Sequence, residues 1–212
     1  MNVKILIVGS TGKLGSKLLG YMHKNDIKAY CITCFQNIKK LNFQKKKYSI
    51  KKSYVLSHSD DQKNFYKTLE KNIQLVYFLD FTSLSLKYVN HFLKFNQNSV
   101  IAIANKEMII AGGRVLQSKI KKTNNHFIPL DSEHFSLLNS NIYETNIQKI
   151  FITASGGPFY FNKGINLKTV SNKKVLSHPK WKMGKNNLID SSNFINKILE
   201  IFELSYIFDI SL

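Results

Sequence analysis

Cysteine is nearly missing from this 212-residue chain: Cys31 and Cys34 are the only two. Two thiols cannot build a disulfide scaffold, and their scarcity agrees with a reducing compartment. Proline is as scarce, with Pro129, Pro158 and Pro179 all beyond residue 128. Glycine is absent between Gly20 and Gly112. Arg114 is the single arginine. Long apolar runs are lacking too. Stretches such as Val100–Ala104 fall far short of the ~18–20 residues that a bilayer span requires. No small-residue cleavage site follows the strand-like N-terminal run, so a cytoplasmic location is the expectation, with no membrane partner.

What is present is a hydrophobic content of 43% and an aromatic content of 12%, enough for a packed core and incompatible with wholesale disorder. Lysine and arginine total 31 against 13 acids, a net charge of +18. Such a balance raises the question of a polyanionic partner. Direct base readout favours the guanidinium fork, which is almost absent here. The chain is also rich in Asn, Ile, Phe and Tyr, which share A/T-rich codons with lysine. Coding bias therefore accounts for the charge, and nucleic acid is not an expected partner.

Strand and helix signals alternate from the start. Val3–Val8 reads as a parallel strand, apolar on both faces over Ile5–Val8. A glycine-rich turn, Gly9–Gly15, leads into a helix marked by Leu14, Leu18, Leu19 and Met22. Lys28–Cys34, Leu75–Leu79, Val100–Ala104 and Phe127–Leu130 read as further strands. Leu84–Phe95 and Met108–Lys121 read as helices, the second weakened by Gly112 and Gly113. Lys39–Ser57 is lysine-rich and reads as a surface excursion or irregular helix. The class expected is α/β: a doubly wound, mostly parallel dinucleotide-binding sheet over residues 1–127, followed by an incomplete α+β domain over 128–212. The second part offers one strand, Gln148–Ala154, a polar loop around Trp181 and a helix from about Ser191 to Ser205. That is thin for a core of its own.

Gly9-Ser10-Thr11-Gly12-Lys13-Leu14-Gly15 sits where a glycine motif signals dinucleotide binding, after a strand and opening a helix. Glycines let the backbone approach a pyrophosphate, and the helix N-terminus offers free N–H groups. The spacing is Gly-x-x-Gly-x-x-Gly, and a purely structural turn is the alternative. After the second strand, Cys34-Phe35-Gln36-Asn37-Ile38-Lys39-Lys40 contains no acid to bind ribose hydroxyls, and two lysines follow, basic groups of the kind that hold a 2′-phosphate, which points towards NADP. The Cys31-x-x-Cys34 pair lies within a strand pattern, not at a helix N-terminus, and reads as two small apolar residues.

Four polar clusters interrupt the apolar pattern: Asn105-Lys106-Glu107, Asp131-Ser132-Glu133-His134, Ser155-Gly156-Gly157-Pro158 and His178-Pro179. Three of them follow strand-like runs, where open α/β sheets bind ligands. Asp131 and Glu133 are spaced to share a hard cation such as Mg²⁺ or Mn²⁺, or alternatively to begin a helix with Asp131 or Ser132 as its cap. His134 reads as a local hydrogen-bonding residue beside them. Asn196 and Glu200 share a helix face at i, i+4.

Taken together, these segments resemble 1-deoxy-D-xylulose 5-phosphate reductoisomerase. The resemblance covers Gly9–Gly15, Ala102–Glu107, Pro129–His134, Thr153–Phe159, His178–Lys185 and Asp190–Glu200, in family order. It implies NADPH-dependent isomerising reduction of 1-deoxy-D-xylulose 5-phosphate to 2-C-methyl-D-erythritol 4-phosphate, in non-mevalonate isoprenoid biosynthesis. It implies two cofactors, NADPH and a divalent cation (Mn²⁺, Mg²⁺ or Co²⁺), and a small phosphorylated sugar as substrate. The cation's ligands would be Asp131, Glu133 and Glu200. The catalytic set would be Lys106, Glu133 and His178. Substrate contacts would come from Lys106, Ser132, Glu133, Ser155, His178, Trp181, Ser191, Asn196, Lys197 and Glu200, with Trp181 and Met183 on a covering loop. NADPH contacts would come from Thr11, Gly12, Lys13, Leu14, Asn37, Asn105, Glu107 and Gly184.

The sequence departs from the family in three places. The turn after the second strand is ordinarily Gly, a basic residue and Asn, whereas here it is Phe35-Gln36-Asn37. The stretch Asp80–Ser85 lacks the family's glycine, and Ile198 replaces a helix glycine. Family members are also nearly twice as long and homodimeric. The expectation is a fragment or truncated form with most of the dimer interface missing; the alternative is a non-catalytic, dinucleotide-binding remnant.

Overall fold

A computed structural model describes residues 3–80, 84–140, 147–154, 156–161, 164–178 and 185–211. The chain divides into two compact units, Met1–Ser140 and Asn141–Leu212.

The first unit is a six-stranded parallel sheet with helical crossovers. Its strands are β1 (Ile5–Val8), β2 (Cys31–Cys34), β3 (Lys52–Val55), β4 (Leu75–Phe78), β5 (Val100–Ile103) and β6 (His126–Pro129). Its helices are α1 (Lys13–Lys24), α2 (Ile38–Lys47), α3 (Ser59–Leu69), α4 (Ser85–Phe95), α5 (Lys106–Lys122) and α6 (Ser132–Asn139). The strand order is β3-β2-β1-β4-β5-β6, every pairing parallel. The winding reverses between β1 and β4, and the crevice beyond their carboxyl ends is where such sheets bind ligands. All four residues of β1 are buried, as a central parallel strand covered on both faces requires. At the amino ends of β4 and β5, two buried asparagines tie the crossovers together. Asn96 accepts from the Ile73 amide at 2.8 Å and donates to the Leu69 carbonyl at 2.7 Å, while Asn125 accepts from the Ser99 amide at 2.8 Å.

Three expectations are corrected. Lys39–Ser57 is no irregular excursion: it contains α2 and β3. Its lysines mask an inward face, on which Leu41 and Gln44 are buried. Gln148–Ala154 forms no strand, and among the described residues of the second unit there is no strand to pair with it; an apolar run without a ladder partner gains nothing from extension. The helix expected from about Ser191 to Ser205 starts a turn later, and Ser191 instead ends the helix before it. α7 (Asn172–Val175) precedes α8 (Lys185–Ser191), and α9 (Ile195–Phe208) begins only after a break. At that break the Asn193 side chain accepts from the Ile195 amide at 2.8 Å, a local bond that competes with helix continuation. α3 gave no clear signal in the sequence. The weakness expected in the fifth helix is real: Gly113 is non-helical, with φ 47°, and kinks α5. No described helix is long and apolar enough to cross a membrane.

Candidate functional site

The glycine turn is built by close backbone approach. Gly9 has φ +85°, a left-handed conformation that glycine alone adopts freely. A Cβ there would lie 2.7 Å from the Asp80 amide nitrogen, because the ends of β1 and β4 touch. A Cβ on Gly15 would lie 2.6 Å from both the Gly9 carbonyl oxygen and the Ser10 Cα, so α1 packs directly on the turn. No acid occupies the first turn of α1. Such a close-packed turn, opening a helix with no carboxylate at its N-terminus, fits a pyrophosphate.

The turn is braced from a region the sequence left uninterpreted. The fully buried Ser10 hydroxyl donates to Gln44 Oε1 at 2.8 Å, and Gln44 Nε2 donates back to the Ser10 carbonyl at 2.9 Å. The Ser10 amide donates to the Thr33 carbonyl on β2 at 2.9 Å. Lys40, one helical turn before Gln44, donates from Nζ to the Thr11 carbonyl at 2.7 Å. The sequence marks Lys40 as one of two lysines after the second strand, and for Gln44 the only signal is its i, i+4 spacing from Lys40. Asn37 caps α2 by accepting from the Lys40 amide at 3.2 Å, and Phe35 and Gln36 are exposed. Thr11 is half-buried; Gly12, Lys13 and Leu14 are exposed at the start of α1. Cys31 and Cys34 are buried strand residues with free thiols whose pKa values burial pushes up, in keeping with an apolar role.

The polar clusters after β5 and β6 meet because those strands are neighbours, with Ile103 opposite Pro129. Asn105, fully buried, caps α5 by accepting from the Met108 amide at 2.8 Å. That cap sets Lys106 and Glu107 in the first turn. Lys106 Nζ lies 2.8 Å from Asp131 Oδ2. Asp131 in turn caps α6, accepting from the Glu133 amide at 3.2 Å, so it serves both as cap and as part of the charged cluster. Carboxylate oxygens of Asp131 and Glu133 lie within 4.8 Å of each other. Burial, and then the Glu133 carboxyl beside it, push the Asp131 carboxyl above the ordinary carboxylate range, against the pull of the Lys106 ammonium. Two crowded carboxyls relieve their repulsion by holding a proton or a cation. Oxygen donors of this kind suit Mg²⁺ or Mn²⁺. The Ser132 hydroxyl donates to Glu133 Oε2 at 2.6 Å. His134 is buried, with Nδ1 3.7 Å from Asp131 Oδ1.

In the second unit, the polar face of α9 converges on one carboxylate. Glu200, 2% exposed, accepts from Asn196 Nδ2 at 2.5 Å and from Lys197 Nζ at 2.7 Å. Glu203, one turn further along, is a second buried acid that the apolar context of Ile198–Phe208 concealed in the sequence. A Cβ on Gly157 would lie 2.2 Å from the Ser191 carbonyl oxygen, so the glycine turn and the end of α8 pack together. The Ser191 hydroxyl donates to the Leu188 carbonyl at 2.9 Å. His178 is half-buried. Ser155, Trp181, Met183 and Gly184 lie outside the described residues.

Residues 127–208 match the family model for the 1-deoxy-D-xylulose 5-phosphate reductoisomerase C-terminal domain. The reductoisomerase of Pelagibacter ubique is 37% identical over 235 aligned positions, covering 98% of this chain and 59% of that protein. That of Sulfurihydrogenibium is 33% identical, covering 97% of this chain and 57% of that protein. The fold matches that of the Zymomonas mobilis reductoisomerase solved with NADPH, with TM-score 0.83, 22% identity and coverage of 100% of this chain and 59% of that one. A reductoisomerase solved with NADPH, fosmidomycin and magnesium gives TM-score 0.80 at 24% identity, covering 99% of this chain and 59% of that one. This chain therefore spans a little under three-fifths of the length of the relatives it matches. Over nearly all of its own length it resembles the 1-deoxy-D-xylulose 5-phosphate reductoisomerases.

Proposed function

We propose that this chain carries the cofactor-binding unit and the metal and substrate motifs of a 1-deoxy-D-xylulose 5-phosphate reductoisomerase. In that role it serves the NADPH-dependent isomerising reduction of a small phosphorylated sugar to 2-C-methyl-D-erythritol 4-phosphate. The observation that carries the proposal is the placement of Lys106 and Asp131 in contact at the carboxyl ends of β5 and β6, on the sheet whose β1 ends in the glycine turn.

NADPH, when bound, supplies the hydride, and a divalent cation supplies Lewis acidity towards the substrate's ketone and hydroxyl oxygens. The Gly9–Gly15 turn holds the pyrophosphate on backbone N–H groups, with Thr11, Gly12, Lys13 and Leu14 at the contact. Asn37, Asn105, Glu107 and Gly184 complete the cofactor set by resemblance. Asp131, Glu133 and Glu200 are the proposed carboxylate ligands. Asn196 and Lys197 orient the Glu200 carboxylate on α9. Lys106 places a compact positive charge where an oxyanion develops. Ser132, Ser155, His178, Ser191, Asn196 and Lys197 bind the substrate's phosphate and hydroxyls, and Trp181 covers it.

The test is NADPH oxidation by the purified chain with 1-deoxy-D-xylulose 5-phosphate and Mn²⁺, with and without fosmidomycin, a substrate-like inhibitor. The expected result is weak or absent turnover by this chain alone, with NADPH and, in the presence of Mn²⁺, fosmidomycin still bound. A folded sample that neither oxidises NADPH nor binds fosmidomycin contradicts the proposal.

A further inference from the structure

Cofactor choice in a doubly wound sheet is made just beyond the second strand, where an acid binds the ribose hydroxyls or a cation binds a 2′-phosphate. Here that turn holds Phe35-Gln36-Asn37, which offers neither an acid nor a base. Asn37 is engaged as the cap of α2. The sequence from Ile27 to Ser59 nevertheless contains eight lysines; the next acids along the chain are Asp60 and Asp61 at the start of α3, where the Asp61 carboxylate is engaged by the Val55 amide at 2.7 Å. One of those lysines is fixed in place. Lys40 Nζ lies 2.7 Å from the Thr11 carbonyl, spanning from the first turn of α2 to the glycine turn between β1 and α1. Gln44, one helical turn on, locks the same helix face to Ser10. The ammonium is therefore held between the β1 and β2 turns, on the side of the sheet where the adenosine ribose of a dinucleotide lies, and a single carbonyl leaves two of its three N–H donors for other acceptors.

We infer that Lys40 binds the 2′-phosphate of NADPH and sets the preference for NADPH over NADH, replacing the basic residue that the Phe35-Gln36-Asn37 turn lacks. The inference rests on the proposed dinucleotide site and adds its specificity residue. Lysine serves here as a point charge, which suits a phosphate monoester approached from one side.

The experiment measures dissociation constants of NADPH and NADH by nicotinamide fluorescence for the full chain, Lys40→Met and Lys40→Arg. The competitor is 2′,5′-ADP, set against 5′-ADP. Lys40→Met is expected to weaken NADPH and 2′,5′-ADP by roughly 10-fold or more, as loss of one charge-assisted contact implies. NADH and 5′-ADP should stay within about twofold, and Lys40→Arg should retain the preference. Equal weakening of both dinucleotides would show that Lys40 only braces Thr11, and would overturn the inference. Unchanged NADPH binding in Lys40→Met would overturn it as well. A wild-type chain that binds NADPH and NADH equally refutes the Lys40 assignment alone. A folded wild-type chain that binds neither refutes the dinucleotide site, and the Lys40 assignment with it.

Discussion

Replacing Gly15 and Gly20 by alanine, one at a time, sets two opposing effects against each other within a single helix. Both residues lie in α1, so each substitution gains about 0.8–1 kcal/mol of helix propensity. At Gly20 nothing lies within 4 Å of the new Cβ, and that gain should survive as added stability. At Gly15 the new Cβ meets the Gly9 carbonyl oxygen and the Ser10 Cα at 2.6 Å and the Ser10 carbonyl carbon at 2.8 Å. Carbon contacts ordinarily begin near ~3.5 Å. All three neighbours are backbone, so no rotamer change relieves the overlap, and overpacking of this kind costs about 1–3 kcal/mol or more. The two variants should therefore differ by roughly 1–3 kcal/mol. In a chain of this size that is a Tm difference of about 2–12 °C, with Gly20→Ala the more stable. Thermal melting of both variants with and without NADPH is the assay. Gly15→Ala should also bind NADPH more weakly, because relief of the clash moves the turn, whereas Gly20→Ala should bind it like the parent. A Gly15→Ala variant as stable as Gly20→Ala, with NADPH affinity unchanged, would refute the close packing of α1 on the glycine turn.

Three further outcomes are expected. Gln44→Met removes both bonds to Ser10 while keeping the side-chain volume, and should cost about 1–3 kcal/mol in urea unfolding for the two bonds lost, the Ser10 hydroxyl keeping its bond to the Thr33 carbonyl and the Ser10 carbonyl its long one from Ser16; an unchanged midpoint would show that the brace is dispensable. Glu200→Gln should weaken Mn²⁺ binding by at least ~10-fold in a titration followed by electron paramagnetic resonance, and unchanged affinity would exclude Glu200 as a ligand. Burial raises the pKa of both Cys31 and Cys34, so the thiolate forms only above the ordinary thiol range, and at about pH 8 iodoacetamide should modify neither until the chain is unfolded. Rapid alkylation of the native chain would contradict their burial.

The parts of the fold legible in the sequence were those with a strong apolar period. Ile5–Val8 is apolar at every position because it is covered on both faces, and the glycine turn after it follows from the short reach between β1, α1 and β4. α2 and β3 were hidden because their exposed lysines outnumber the few inward residues, Leu41 and Gln44 on α2 and Val55 on β3. Gln148–Ala154 misled because an apolar run alone cannot supply a ladder partner. At the candidate site, the residue types of the polar clusters were readable, but not their contacts. That Lys106 meets Asp131 depends on β5 and β6 being neighbours, which is a property of strand order and not of either motif. Lys39 and Lys40 were readable as basic residues after the second strand, but in a chain full of lysine nothing chose between them; the reach of Lys40 to the Thr11 carbonyl sets it apart.

The most direct test of the central claim, that the Gly9–Gly15 turn on this parallel sheet holds NADPH, is calorimetric titration of NADPH into the purified chain in the presence of Mg²⁺. The expected result is saturable binding at one site per chain, lost when Gly15→Val blocks the turn in a variant that retains its circular dichroism spectrum. A parent chain that melts cooperatively yet gives no binding heat at any of several temperatures, and no change in nicotinamide fluorescence, would contradict it.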